Sequence, residues 1–207
     1  KFRIKRAKIN QSTHIGVDTK LFKPNKKLSG NFKIGYCGRI IAYKGIWDLI
    51  DSVKLINNDR DKKDYVMLDI LGGGPEVDKL MLLCKKFSWL TYLSPIPHKK
   101  VPFFLNTLDL FVMPSRILEE HVEHDSHAVL EAMSCGIPCI AAKSGSNIEV
   151  LKDIGVLVDP ENVDLLKMNI LRLINSTKIR TKLSELGRKR VIELYSLDAV
   201  AKKYLKT

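Results

Sequence analysis

From Phe32 onward the chain alternates between two hydrophobic rhythms. Short, almost continuously apolar runs recur at FKIGYCG (32–38), VMLDILG (66–72), LTYLS (90–94), DLFVMPS (109–115), PCIAA (138–142) and GVLVDP (155–160), each bounded by Gly, Pro or Ser. Between them lie stretches of helical period. The first is KGIWDLIDSVKLIN (44–57), with Ile46, Leu49, Ile50 and Val53 on one face; PEVDKLMLLCKKF (75–87), HKKVPFFLNTL (98–108), HAVLEAMSCG (127–136) and DLLKMNILRLINS (164–176) follow. Runs this uniformly apolar are strands covered on both faces, which belong in a parallel sheet. Their alternation with amphipathic helices predicts an α/β fold, a Rossmann-like doubly wound parallel sheet. The last thirty residues, from Lys178, read as one or two basic helices.

Ahead of this pattern, residues 1–30 read as an entry segment. The stretch HIGVDTKLFKPNKKLSGN (14–31) has the Gly, Asp, Pro, Asn and Ser density of a loop, and residues 31–207 form the predicted domain. The chain starts at Lys1, so we expect an excised piece from which a partner domain is missing. With 45% hydrophobic residues it can fill a core without staples. No run of 18 apolar residues predicts a membrane span, and a cytosol-facing polypeptide is the expectation. The net charge of +12 favours anionic partners. Cys37, Cys84, Cys135 and Cys139 lack CxxC spacing, and Cys37 and Cys139 fall within strand-like runs, so reduced thiols are expected.

In a doubly wound sheet, ligands bind beyond the carboxyl ends of the strands. After the first strand comes GRIIAYKG, with Gly38, Arg39 and Lys44. Two fixed cations beside helix amides can neutralise a diphosphate, though the same residues also suit an ordinary surface loop. After the second strand comes GGGPE, in which Gly72, Gly73 and Gly74 permit close backbone approach and Pro75 opens a helix. It contains neither a GxGxxG fingerprint nor the GK[ST] of a Walker loop, so it is either a nucleotide contact or a plain tight turn. After the fourth strand comes EEHVEHDSHAVLEAMSCGIPCIAA (119–142), in which Glu123 and Glu131 are separated by seven residues. One carboxylate lies in the loop before a helix and the other about two turns along.

Taken in order, GRIIAYKG, GGGPE, LDLFVMPS, Glu-x7-Glu followed by AMSCGIPCIAA, and IEVLKDIGVLVDP resemble the carboxyl-terminal domain of retaining GT-B glycosyltransferases of the glycosyl transferases group 1 family. The likeness covers nearly the whole chain, including the entry loop HIGVDTKLFKP. It implies that Arg39 and Lys44 bind the pyrophosphate of a nucleotide-sugar donor and stabilise the leaving diphosphate. Glu131 would hold the ribose hydroxyls, and Glu123 would face the donor sugar as the catalytic carboxylate. Gly38, Gly73 and Gly74 would approach the donor, and the helix-start amides of Ser126, His127 and Ala128 would point at phosphate. The chain departs from the family's Glu-x-Phe-Gly pattern, having His124, Asp125 and Ser126 after Glu123. A missing amino-terminal GT-B domain would supply most acceptor contacts, and no metal or other cofactor is implied.

Other chemistry also fits parts of this sequence. His121, His124 and His127 recur at every third position and could hold zinc or nickel with nearby acids; a polar loop also explains them. A non-catalytic nucleotide-sugar-binding module would fit the Asp125 and Ser126 departures. A nucleic-acid-binding protein would fit the charge, but 7% aromatic residues and no RNA-binding signature speak against it. The basic helices also suit peripheral docking on an anionic membrane face.

Overall fold

The computed structural model describes residues 16–25, 30–116 and 126–205 of the 207-residue chain. All six predicted strands form: β1 (Lys33–Cys37), β2 (Met67–Leu71), β3 (Leu90–Leu93), β4 (Leu110–Met113), β5 (Cys139–Ala142) and β6 (Val156–Val158). They make one sheet in the order β3-β2-β1-β4-β5-β6, and every neighbouring pair is parallel. The order reverses between β1 and β4. At that point the connecting chains leave in opposite directions and open a crevice at the strands' carboxyl ends.

Alternating side chains serve the two faces, as the two-residue period of a strand requires. Leu110, Val112, Ile34, Ile70 and Ile140 pack under α1 (Ile46–Asn57), α2 (Val77–Cys84) and α6 (Val163–Ile174). Phe111, Met113, Leu71 and Cys139 pack under α3 (Val101–Leu105), α4 (His127–Ser134) and α5 (Asn147–Leu151). This double covering is why the strands carry apolar residues at consecutive positions. The four cysteines are free thiols, Cys135 and Cys139 buried and Cys37 and Cys84 half-buried.

Several helix boundaries differ from the periodicity. Pro75 sits in a turn, and α2 starts only at Val77 after Glu76. The stretch from His98 divides into a 3-10 turn, His98–Lys100, and the short α3, whose early Pro102 has no N–H to lose there. Helix α5 was not anticipated as a separate element. The basic carboxyl-terminal stretch forms α7 (Thr177–Arg190), a π-helical turn (Val191–Tyr195) and α8 (Leu197–Leu205). Ser176 caps α7 by accepting from the Ile179 amide at 3.3 Å. Among the described residues, no helix is long and apolar enough to cross a membrane.

The described part of the entry segment is packed onto the domain. Val17 and Phe22 are 2% and 1% exposed and belong to the core under α4. Asp18 accepts from the amides of Lys20 and Leu21 at 2.9 and 3.1 Å, turning the chain so that Phe22 faces inward. The carbonyl of Phe22 accepts from Ser134 Oγ at 2.6 Å and from Arg188 Nη1 at 3.3 Å. Val17 also bridges to the far end of the domain: its amide donates to Tyr195 O at 2.8 Å, and its carbonyl accepts from the Leu197 amide at 3.0 Å.

Candidate functional site

At the crevice the loops after β1, β2 and β4 are fastened into one rim. The Gly38 amide donates to Leu71 O at 3.0 Å, the Ile40 amide to Gly73 O at 2.9 Å, and the Glu76 amide to Ile40 O at 3.3 Å. A Cβ at Gly74 would stand 2.2 Å from the Ile40 carbonyl oxygen. The glycine there is therefore already required by loop-on-loop packing, without reference to a ligand. Gly73 and Gly38 lie in the same seam, where added Cβ atoms would meet Pro95 at 3.1 Å and the Tyr36 hydroxyl at 2.9 Å.

Tyr36 Oη donates to the Arg39 carbonyl at 2.7 Å, which fixes the backbone of Arg39 while its side chain projects into solvent. Lys44 closes the 3-10 turn Ala42–Lys44 and is half-buried, its Nζ 5.7 Å from the Tyr43 ring centroid. Gly45 follows with φ +70°, and a Cβ there would lie 1.9 Å from Pro114 O. Only glycine allows α1 to start this close to the end of β4. The Arg116 amide donates to Tyr43 O at 2.8 Å, and the Arg116 guanidinium grips Asp48 of α1 through two bonds of 2.6 and 3.0 Å. A planar fork on a carboxylate holds angle as well as distance. Neither Asp48 nor Arg116 was singled out from the sequence, because the partner of each lies on another element.

Glu131 lies on α4 and is 7% exposed. Its charge is felt at the end of β1: the Cys37 thiol is pushed up to about 12, first by burial and then by Glu131. The Cys135 thiol is also pushed up to about 12, by the same two causes in the same order. A second residue that sequence reasoning passed over meets Glu131 directly. His98 Nε2 stands 2.5 Å from Glu131 Oε1, and the His98 ring leans on Phe22 with centroids 5.1 Å apart.

Ser126, where the resemblance expects glycine, is fully buried. Its Oγ donates to Asn147 Oδ1 at 2.7 Å and lies 2.7 Å from Ser146 Oγ, tying the start of α4 to the start of α5. The strand-end rule applied after β5 would have found this SGSN loop. His127 is exposed and Ala128 half-buried at the helix start. Glu123, His121, His124 and Asp125 lie outside the described residues. Among the described residues no group of three or more His, Cys, Asp or Glu side chains could hold a metal ion. The structure thus brings Arg39, Lys44, Gly38, Gly73 and Gly74 onto one side of the crevice and Glu131 and the start of α4 onto the other.

Comparison with known proteins agrees with this architecture. The family model described as glycosyl transferases group 1 matches residues 17–190, and the chain belongs to that family. It is 28% identical over 190 residues to the MMP alpha-(1->4)-mannosyltransferase of Mycolicibacterium hassiacum, covering 90% of this chain and 45% of that protein. It is 26% identical over 205 residues to a GDP-mannose-dependent phosphatidylinositol monomannoside mannosyltransferase of Mycobacterium tuberculosis, covering 91% and 52%. The chain spans about half the length of these curated relatives. Among solved structures, the C-terminal domain of a group 1 glycosyl transferase (LpcC) from Francisella tularensis superposes with a TM-score of 0.75 at 25% identity, covering 88% of this chain and all of that one. Anabaena HepE, solved with UDP and glucose, shares the fold with a TM-score of 0.76 at 20% identity, covering 92% and 54%. The fold is that of a C-terminal GT-B domain.

Proposed function

We propose that this chain is the donor-binding domain of a retaining glycosyltransferase that moves a sugar from a nucleoside-diphosphate sugar to a glycan or lipid-linked acceptor. The observation that carries the reading is the two-sided crevice at the strand-order reversal, with Arg39 and Lys44 on one rim and the buried carboxylate of Glu131 opposite. Cleaving a donor builds negative charge on the departing diphosphate, and fixed cations favour that charge most as the bond breaks. A carboxylate accepts two hydroxyls at once, which suits the ribose for Glu131 and the transferred sugar for Glu123. The amides of Ser126, His127 and Ala128 at the start of α4 add a partial positive charge beside the phosphates.

The donor of first choice is GDP-mannose, supported by the mannosyl-transferring names among the relatives. Acceptor contacts fall to an amino-terminal GT-B domain, so this chain alone binds donor and transfers little. The test is calorimetric titration of this chain with GDP, UDP and ADP. Saturable one-to-one binding, tightest for GDP, is expected. Failure of all three to bind, with tight and steeply salt-dependent binding to RNA or DNA instead, overturns the reading.

A further inference from the structure

We propose that His98 is a positioning residue for Glu131, holding the carboxylate in the plane that distinguishes ribose from deoxyribose. This rests on the ribose role proposed for Glu131 and goes beyond it, because His98 belongs to a different element and to none of the strand-end motifs.

A glutamate's last torsion is broad and nearly two-fold, so a carboxylate has no preferred plane of its own. A hydroxyl pair can be read only by a carboxylate whose plane is set. His98 supplies the setting, since its Nε2 reaches Glu131 Oε1 at 2.5 Å. A carboxylate offers about four acceptor positions on its two oxygens, so this bond orients the group without exhausting it.

The imidazole is itself braced. Its ring lies against Phe22, which is 1% exposed, and the Phe22 carbonyl accepts from Ser134 Oγ at 2.6 Å. Ser134 stands three residues after Glu131 on α4, on the same side of the helix. The contacts therefore close a circuit: α4 grips the entry segment through Ser134, the entry segment supports His98 through Phe22, and His98 returns to α4 at Glu131. The imidazole is the one solvent-facing part of that circuit, with 68% of its side chain exposed. Its loss would therefore disturb the aim of Glu131 rather than the core.

The experiment measures the affinity of this chain for GDP and for 2′-deoxy-GDP in the parent, His98→Ala, His98→Gln, Glu131→Gln and the double variant His98→Ala with Glu131→Gln. The parent is expected to prefer the ribonucleotide by about tenfold, the size of one well-made hydrogen bond to a charged acceptor. His98→Ala should reduce that preference to below about threefold, weakening GDP several-fold more than 2′-deoxy-GDP, which keeps only the 3′-hydroxyl for Glu131 to hold. His98→Gln, which keeps an N–H donor of similar reach, should restore most of it. Glu131→Gln should abolish the preference, and the double variant should lose nothing further. The proposal falls if His98→Ala weakens both nucleotides equally, or leaves the preference intact, while Glu131→Gln abolishes it; His98 is then a structural bystander. If Glu131→Gln itself keeps the preference, the ribose reading fails and the proposal fails with it, whatever the His98 variants do.

Discussion

Single residues separate the chemical roles. Arg39→Ala and Lys44→Ala are each expected to weaken nucleoside diphosphate binding by about 1.5–3 kcal/mol with the fold intact, read by calorimetry and a thermal melt. Unchanged affinity in both would remove the phosphate assignment. Glu131→Gln should weaken plain GDP, whose ribose it would hold, whereas Glu123→Gln should act only on the nucleotide sugar or on turnover in the two-domain enzyme. Equal losses on plain GDP would merge the two roles. Cys37 gives a prediction in pH. Its thiol rises from 9.0 to about 12 in the fold, so the unfolded chain releases that proton first. The stability this thiol contributes is complete below about 9 and is lost as pH climbs from there towards 12. The urea midpoint should fall between pH 8 and pH 10, and fall less in Cys37→Ala. Glu131 was singled out through the Glu-x7-Glu likeness to the family, since its own run carries no other chemical signal. His98 was not, because a solitary histidine in a helical-looking run carries no spacing, and its partner is 33 residues away.

Elements were legible where burial left a simple record. The six strands announced themselves because both sheet faces are covered, which forces consecutive apolar residues. The segment from Gly16 to Pro24 was harder to read for the opposite reason: it is anchored by only two core side chains, Val17 and Phe22, among turn-forming residues. The structure gives those two anchors a cost. Phe22→Ala should destabilise the domain by about 3–5 kcal/mol, measured by urea unfolding, because it opens a cavity beneath α4 and removes the support of the His98 ring. A loss below about 1 kcal/mol would mean that the segment is peripheral to the fold. Helix α5 escaped the periodicity because five residues are too few to establish a helical repeat.

For the molecule as a whole, net charge and the proposed donor chemistry make one joint prediction. With +12 overall, nucleoside diphosphate binding should weaken as sodium chloride rises, while a chelator at fixed salt should leave it unaltered. Loss of binding on chelation, together with stoichiometric zinc, would return attention to His121, His124 and His127. Charge was plain in the sequence. That the chain crosses itself at Val17 was not, because one backbone bridge between residues this far apart leaves no pattern. The bridge between Val17 and Ser196 is parallel, so tension applied between Gly16 and Leu205 pulls its two strands along their length in opposite senses. Its two hydrogen bonds are then loaded together, in shear. Helix α8 lies in series with that load, and the bridge carries the force past the sheet, leaving all six strands mechanically shielded until it breaks.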